Sequence, residues 1–235
     1  MLLKQFIKNI LKIIPWQEDK ALQTKTINTY INDNQIRKVQ FGCGPNQLKG
    51  WLNTDIVKSF DEVVFLDITE KFPFPSNAID FMTSEHLIEH INFKQAKFFL
   101  SECLRTLKPN GVLRITTPDL TNIINLYQSE GIQNQNYIDY ICKKFIPDAK
   151  YNNDVFVINN AFRNWGHQFL YNRDTLHNLL EEVGFKKITQ VSPGISEYDS
   201  LFDVDSRNKG DLKEINSFEV MVFEAIKGGD NVKAF

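Results

Sequence analysis

A chain of 235 residues is long enough to enclose one sizeable hydrophobic core. With 27 Lys and Arg against 29 Asp and Glu, its formal net charge is -2, which gives no general attraction to nucleic acid. Its three cysteines are widely spaced and form no C-x-x-C pair, so we expect reduced thiols in a cytoplasmic protein rather than a disulfide framework.

The first residues, "MLLKQFIKNILKIIP", place apolar side chains at helical spacing, with Lys4, Lys8 and Lys12 on the opposite side. Lysines interrupt the apolar run and no small-residue cleavage site follows, which disfavours a secretory signal. A basic amphipathic helix suits an anionic membrane surface, so one hypothesis is peripheral contact of residues 2–14 with the inner face of the membrane. The alternative is a helix packed on the domain or on a partner subunit.

After a polar connector, short apolar segments alternate with helical ones. Helices are predicted over residues 85–107 and 173–185, the second with Asp174 as N-cap and Gly184 as its stop. The segment "KPNG" predicts a turn between the first of these helices and the next strand. Strands that alternate with helices favour a parallel sheet covered on both faces. The predicted strands are 37–42, 52–57, 62–68, 78–84, 112–118, 186–192 and 217–226.

Residues 119–173 lose this simple periodicity and are rich in Asn, Gln and aromatic residues. They are predicted to mix helices with loops, as an insertion above the carboxyl ends of the strands, where open α/β sheets bind ligands. The predicted organisation is therefore an N-terminal amphipathic helix and connector over 1–36, one domain over 37–228 with 119–173 as its lid, and a tail over 229–235.

The stretch "VQFGCGPNQLKGWLNTDIV" combines a strand, a sharp turn and an acid. Gly42 and Gly44 follow the first strand at once, which lets the backbone approach a ligand closely. Asp55 ends the next strand, where a carboxylate can accept hydrogen bonds from both hydroxyls of a ribose. Asp67 ends the third strand, and "TSEH" leaves the fourth. Together these strand ends predict a nucleotide site, whereas solvated loop acids are the alternative for Asp55 and Asp67.

These segments resemble the class I S-adenosylmethionine-dependent methyltransferases, of the small type 11-like kind with a G-C-G-x-N signature. The matching pieces are "FGCGPNQLKGWLNTDI", "LDITEKFPFPSNAIDF", "SEHLIEHI", "LRTLKPNGVLRITTPDL" and "GHQFLYNRDTLHNLLEEVGF", in family order over about residues 37–185. The resemblance implies an α/β fold: a Rossmann-like, doubly wound, seven-stranded sheet with the last strand antiparallel and a lid insertion after strand five. It also implies S-adenosyl-L-methionine as cofactor.

Carried over residue by residue, the resemblance assigns Gly42 and Gly44 to a turn that cradles the amino-acid part of the cofactor. It assigns Asp55 to the ribose and Asp67, with Ile68, to the adenine amino group. Glu85, at the exit of the fourth strand, is the remaining predicted cofactor-binding residue.

The sequence departs from this family pattern beside the glycine turn. Gln40 stands where an acid is common, so no ion pair with the amino group of the cofactor can form there. Asn46 replaces the usual third glycine, and the short path to Asp55 leaves little or no room for the usual first helix. These departures bear on the affinity for the cofactor more than on its identity.

Two histidines are candidate catalytic bases for an acceptor hydroxyl or ammonium. His86 is nearest the end of the fourth strand and is expected to face the transferred methyl group. His167, in "NWGHQFLYN", lies in the insertion, and a structural histidine is its alternative role. Arg163, Trp165 and Tyr171 would either line an acceptor pocket or pack the lid.

Two other classes of site compete for these motifs. "HLIEH" matches H-x-x-E-H, in which His86 and His90 could share a metal, but no third ligand is identifiable and we predict no metal. A dehydrogenase would need G-x-G-x-x-G opening a helix, and the third glycine is missing here. Neither interpretation is favoured.

The sequence therefore predicts a methyltransferase that acts at oxygen or nitrogen of a small molecule or a sugar-bearing precursor, without a nucleic-acid partner. Its location would be cytoplasmic, with the membrane contact described above. A cofactor-binding subunit that does no chemistry, and regulates or scaffolds a partner, is the alternative that Gln40 and Asn46 leave open.

Overall fold

The computed structural model describes residues 20–57, 60–128, 131–207, 210 and 213–229. In chain order these residues form helix α1 (Lys20–Asp33), strands β1 (Lys38–Phe41), β2 (Leu52–Asp55), β3 (Val64–Phe65) and β4 (Ile79–Glu85), and helix α2 (Phe93–Thr106). Strand β5 (Leu107–Pro118) is followed by helices α3 (Leu120–Gln128), α4 (Ile132–Phe145), α5 (Asp154–Arg163) and α6 (Arg173–Val183). Strand β6 (Lys186–Val191), helix α7 (Lys213–Glu219) and strand β7 (Val220–Ile226) complete the order.

The seven strands form one mixed sheet in the order β3-β2-β1-β4-β5-β7-β6. Strands β1 to β5 pair in parallel, and β7 runs antiparallel to both of its neighbours. The predicted seven-stranded sheet with an antiparallel last strand is confirmed. Because β1 lies between β2 and β4, the carboxyl ends of these three strands meet at one edge of the sheet.

Aromatic packing under this edge holds the sheet to its helices. The ring centroid of Phe41 on β1 is 5.2 Å from that of Phe72 and 5.4 Å from that of Phe99 on α2, and all three rings are buried. Ile27 and Ile31 of α1 belong to the same core, so the segment predicted as a polar connector contains a helix that packs on the domain.

Several predicted boundaries are wrong, and the structure gives local reasons. The first long helix does not begin at residue 85, because β4 continues to Glu85 and a 3-10 turn covers Ile88–His90. The helix begins at Phe93 instead, after Asn92, which forms a capping box with Gln95.

The next two corrections concern turns and caps. The "KPNG" segment lies within β5, with the positive φ of Asn110 (64°) as its irregularity, rather than forming a separate turn. The N-cap of α6 is Asn172, whose side chain accepts from the Thr175 N–H, and not Asp174. Gly184 ends that helix as predicted, at φ 116°.

The end of the chain also differs from the prediction. The last strand begins at Val220, three residues later than predicted, because α7 occupies the start of that segment.

The insertion forms helices α3, α4 and α5, and Leu126, Tyr137 and Val157 lie in a small core of its own. The predicted amphipathic helix at residues 2–14 and most of the predicted tail lie outside the described residues. None of the helices within the described ranges is both long enough and apolar enough to cross a membrane.

Candidate active site

The predicted cofactor residues come together at the carboxyl edge of the sheet. Gly42 and Gly44 follow β1, Asp55 ends β2 and Glu85 ends β4, so the sheet order makes them neighbours. Asp67 follows β3, beside β2 on the outer side of this edge. Their spatial grouping is what the sequence predicts, and their contacts are described in turn below.

The two glycines of the turn are required for different reasons. Gly42 has φ 62°, which strains any other residue, and a Cβ there would lie 2.8 Å from Leu87 Cδ1, so a side chain would also have to displace the end of Leu87. Gly44 has φ 50°, and a Cβ there would enter space that contains no described atom within 4 Å. The Gly44 N–H donates to Asp55 Oδ2 at 2.9 Å, which ties the turn to the end of β2. The open space beside Gly44 is therefore a cradle that a side chain would partly fill.

Gln40 is part of the turn's support. Its Nε2 donates to the Asn46 carbonyl at 2.9 Å, and its Oε1 accepts from the Leu48 N–H at 3.1 Å. Asn53 Oδ1 accepts from the same Leu48 N–H at 3.0 Å. No helix lies between β1 and β2, as the short spacing predicts, and these side chains brace the connection in its place. Both polar atoms of Gln40 are thus used within the protein.

The two predicted strand-end acids are held by local backbone contacts. Asp55 Oδ1 accepts from the Val57 N–H at 2.8 Å. Asp67 Oδ1 accepts from the backbone N–H of Thr69 at 2.8 Å and from its hydroxyl at 2.7 Å, and Ile68 beside it is buried. Each carboxylate is fixed in position by a turn that follows its strand.

The connection between β6 and α7 reaches the end of β4. Ser206 donates to Glu85 Oε2 through its backbone N–H at 2.9 Å and through its hydroxyl at 2.5 Å, and the Arg207 N–H donates to Oε1 at 3.2 Å. Asn46 donates from Nδ2 to Ser206 Oγ at 3.1 Å. Sequence reasoning missed this contact, because no local pattern relates Ser206 to Glu85.

A cavity of about 440 Å³ opens at the exit of β4. Its wall carries three histidine rings, from His86, His90 and His167. Helix α4 and the segment that follows α5 add aromatic side chains from Tyr140, Phe145 and Trp165. The charged groups at the wall are Lys144, Arg207 and Glu219. Of the other two residues proposed for an acceptor pocket, Arg163 is exposed and Tyr171 is fully buried, and neither lines this cavity.

His86 adopts a left-handed backbone conformation, with φ 49°, and its N–H donates to the Thr116 carbonyl at 2.8 Å. Its Nδ1 lies 3.3 Å from Glu89 Oε1, and its buried Nε2 finds no partner among the described residues. Burial lowers the pKa of His86, but the contact with Glu89 and the charge of that carboxylate outweigh it, so the pKa is raised above its ordinary value.

His167 is oriented by a backbone carbonyl. Its Nδ1 lies 2.7 Å from the Ala161 oxygen, and since a carbonyl only accepts, Nδ1 carries a proton, so that in the neutral ring Nε2 is the acceptor. The rings of His90 and His167 contact each other with centroids 5.0 Å apart. Burial lowers the pKa of His90 below its ordinary value, which favours its neutral form.

Glu89 is a site residue to which the sequence analysis gave no role beyond the match of "HLIEH" to H-x-x-E-H. It is fully buried, and its Oε2 accepts from Thr117 Oγ1 at 2.9 Å. Its backbone carbonyl accepts from the Gln168 and Phe169 N–H groups, at 2.7 and 3.2 Å. This backbone contact joins the turn after β4 to the segment that contains His167.

His167 lies near Glu89 and His90, and the three residues together are candidate metal ligands. The sequence did not identify this group. One ligand atom each from Glu89, His90 and His167 lies within 4.8 Å of the others. The structure does not place His86 and His90 one turn apart on a helix, because His90 ends a 3-10 turn over Ile88–His90 and His86 is a left-handed residue two positions before that turn.

The comparisons with known proteins agree with this architecture. Residues 11–190 match the methyltransferase domain family, so the chain belongs to this family of methyltransferases. This membership decides against the dehydrogenase interpretation of the glycine turn.

Among solved structures, the chain is similar to a SAM-dependent methyltransferase from Archaeoglobus fulgidus, with 17% identity over 88% of this chain and 94% of that one, at a TM-score of 0.49. It is also similar to a possible histamine N-methyltransferase from Thermotoga maritima, with 14% identity over 87% of each chain and a TM-score of 0.47. A phosphoethanolamine N-methyltransferase from Haemonchus contortus shares 16% identity over 83% of this chain but only 49% of its own, at a TM-score of 0.44. No curated protein sequence matches the chain.

Proposed function

We propose that this protein transfers the methyl group of S-adenosyl-L-methionine to an oxygen or nitrogen of a small-molecule or sugar-type acceptor. The observation that carries the proposal is the cavity at the exit of β4, about 440 Å³ in volume and walled by His86, His90 and His167, beside the glycine turn. A volume of this size suits one small molecule. Within the family, the "GCGPN" turn favours the G-C-G-x-N subgroup.

The residues at the sheet edge fit the cofactor. The open cradle beside Gly44 would take its amino-acid part, and the Asp55 carboxylate would accept from the ribose hydroxyls. Asp67 and Ile68 would hold the adenine. Glu85 would form the boundary of the cofactor site at the end of β4. When bound, the cofactor supplies an activated methyl group on its sulfonium. The protein's task is then to align the acceptor with that group, and good alignment contributes about 7–11 kcal/mol to lowering such a barrier.

A hydroxyl or ammonium acceptor must also lose a proton, and we assign this step to His86. It directly follows β4, whose end borders the proposed cofactor site. Its Nδ1 faces the Glu89 carboxylate, and its Nε2 has no partner among the described residues. His167 is the second candidate, favoured by the Nδ1 contact with Ala161 that leaves Nε2 as an acceptor. Both rings line the cavity, where the acceptor would sit.

The cavity wall supports a polar acceptor with a ring. Tyr140, Phe145 and Trp165 offer flat apolar faces of the kind on which sugar rings pack, while Lys144 and Glu219 offer polar contacts of both signs. The net charge of -2 gives no general attraction to nucleic acid, which favours a small acceptor over RNA.

We further propose a cytoplasmic protein whose residues 2–14 bring it to the inner face of the membrane, where an intermediate of a surface glycan would be made. The support is the sequence alone: an apolar stripe opposed by Lys4, Lys8 and Lys12. Sedimentation with anionic and neutral vesicles tests it. Binding only to anionic vesicles, lost in high salt and on replacing the three lysines with glutamate, supports the contact. Equal recovery in the supernatant with both vesicle types rejects it.

Transfer of a radiolabelled methyl group from the cofactor into cell extract tests the main proposal. Label in a small-molecule or glycan-precursor fraction is the expected result, and its identification gives the acceptor. Calorimetry with S-adenosylhomocysteine on the same protein separates binding from transfer. Binding without transfer to any fraction would support the non-catalytic subunit, and binding of NAD without binding of S-adenosylhomocysteine would overturn the proposal.

A further inference from the structure

We infer that Glu89, His90 and His167 form a binding site for a divalent transition-metal ion in the wall of the cavity. One ligand atom from each residue lies within 4.8 Å of the other two, so small side-chain adjustments bring all three onto one ion. A carboxylate with two imidazoles is a donor set that suits zinc and its neighbours in the first transition row.

The backbone holds the two halves of the site together without a metal. The Glu89 carbonyl accepts from the Gln168 N–H at 2.7 Å, and the Gln168 side chain donates to the His90 carbonyl at 2.7 Å. Residues 89–90 and 167–168 are therefore fastened side by side, although they come from the exit of β4 and from the insertion. Only side-chain rotations remain for the ion to fix.

Outer contacts leave the right atoms of the ligands available. Thr117 Oγ1 donates to Glu89 Oε2, whereas Glu89 Oε1 has only the 3.3 Å contact with His86 Nδ1 among the described residues. The Ala161 carbonyl engages Nδ1 of His167 and leaves Nε2 as the ligand atom. Glu89 and His167 thus each have an outer hydrogen-bond partner, as ligands in protein metal centres commonly do, because such a partner fixes the orientation and the tautomer.

A competing explanation is that Glu89 is buried only to balance His86. Its Oε1 does lie 3.3 Å from His86 Nδ1, which accounts for the charge of the carboxylate. That pair does not account for His90 and His167, whose rings contact each other at a centroid distance of 5.0 Å beside the same carboxylate. Two imidazoles at the cavity wall and the buried Glu89 carboxylate beside them are explained together by an ion.

Three protein ligands leave a coordination position free, and His90 and His167 both line the cavity. If the proposed methyl transfer holds, an oxygen or nitrogen of the acceptor fills that position, which would orient the acceptor. This last step rests on the proposed function. With His167 Nε2 engaged by the ion, the acceptor's proton falls to His86. An occupied metal site therefore excludes His167 as the base and leaves His86.

Calorimetric titration of the chelator-treated full-length protein with zinc, and separately with cobalt, tests the site. We expect one ion per chain, with cobalt giving absorption bands typical of nitrogen and oxygen ligands. His90→Ala and His167→Ala should each weaken binding by more than about 100-fold, since loss of an outer contact alone weakens a site about 10–100-fold. Thr117→Val, which removes only such a contact, should fall within that smaller range.

His177→Ala is the matched control, because His177 lies on α6 and does not line the cavity. Its affinity for zinc should be unchanged. Absence of stoichiometric binding of both ions, or binding that survives His90→Ala and His167→Ala, would overturn the inference. Calorimetry with S-adenosylhomocysteine on the same samples distinguishes the two proposals. Binding of S-adenosylhomocysteine without binding of metal rejects only the metal site. Binding of metal without binding of S-adenosylhomocysteine rejects only the proposed cofactor site.

Discussion

The backbone N–H of Ser206 donates to Glu85 Oε2 at 2.9 Å, across 121 residues of chain. Asn46, in the turn after β1, reaches the hydroxyl of the same serine. Ser206 is thus joined to two strand ends of the predicted cofactor edge, and the next residue, Arg207, lines the cavity. The connection between β6 and α7 closes one side of the site, between the cofactor edge and the cavity.

Ser206→Ala should loosen this closure. The substitution removes the hydroxyl contacts with Glu85 and Asn46 but keeps the backbone contact. A hydrogen bond to a charged group contributes about 1.5–3 kcal/mol, so amide exchange in the peptide around residue 206 should accelerate by at least about 10-fold. Mass spectrometry of exchange in deuterated water measures it. Ser101→Ala on the exposed side of α2 is the control, and equal exchange in both variants would contradict the closure.

Asp55→Ala should weaken the binding of S-adenosylhomocysteine by about 10- to 100-fold, through loss of hydrogen bonds worth about 1.5–3 kcal/mol. The carboxylate also accepts from the Gly44 N–H, and Asp55→Asn keeps an oxygen acceptor for that hydrogen bond. Comparison of the two variants therefore separates the effect of a disturbed glycine turn from the effect of a lost cofactor contact. Calorimetry at one salt concentration measures both variants. Asp61→Asn, at an exposed loop position, should bind as the unaltered protein does. Unchanged affinity in Asp55→Ala would remove that residue from the site.

The sheet and the meeting of the glycine turn with the acidic strand ends at one of its edges were predictable, because they follow from local patterns. Apolar strands alternate with helices, and a strand end followed by glycine or by an acid marks the same edge each time. The antiparallel last strand did not follow from periodicity, since only the resemblance to a family indicated it. The short spacing between Phe41 and Leu52 also predicted correctly that no helix intervenes.

The contacts that form the cavity could not be predicted, although His86, Trp165 and His167 were named for it, because these contacts join distant segments. Glu89 reads as a helix residue in "HLIEH", yet the left-handed backbone at His86 ends the strand and turns Glu89 into the core. His167 is brought beside it by hydrogen bonds from the Gln168 and Phe169 N–H groups to the Glu89 carbonyl. No periodicity or motif carries that information. The same holds for Ser206, whose partner is set by the path of the whole connection.

His86→Asn should reduce turnover by roughly 100-fold or more while leaving the affinity for S-adenosylhomocysteine nearly unchanged, because the side chain acts on the acceptor's proton. Asparagine is the suitable replacement, since it tolerates the left-handed conformation, here φ 49°, better than most residues. Turnover and cofactor affinity are measured on the same preparation, with His177→Asn as the control. Normal turnover with a lowered melting temperature would assign His86 to structure alone.

A buried charge network anchors the connection that closes the site. Arg114 on β5 is fully buried, and its guanidinium donates to Asp205 Oδ1 at 3.1 Å and Oδ2 at 2.5 Å, and to Glu224 at 2.6 Å. Asp205 also accepts from Thr116 Oγ1 and from the Gly194 N–H, so one carboxylate joins β5 to both ends of the connection. Ser206 follows it directly.

Asp205→Asn should lower the free energy of unfolding by about 3–5 kcal/mol near neutral pH, because it leaves the buried Arg114 with one carboxylate partner fewer. Burial raises the pKa of Asp205, but the hydrogen bonds and charge of Arg114 outweigh it and hold the pKa below its ordinary value of 3.8. A lowered pKa stabilises the fold at pH values above the unfolded pKa, and this contribution is lost as the pH falls through the folded pKa. The difference between the two proteins should therefore be full at neutral pH and shrink below about pH 4. Urea unfolding at a series of pH values measures it, with the exposed Asp61→Asn expected to change stability by less than about 0.5 kcal/mol throughout. A difference for Asp205→Asn that is near zero at neutral pH, or that grows in acid, would show that the Arg114 network does not hold this connection.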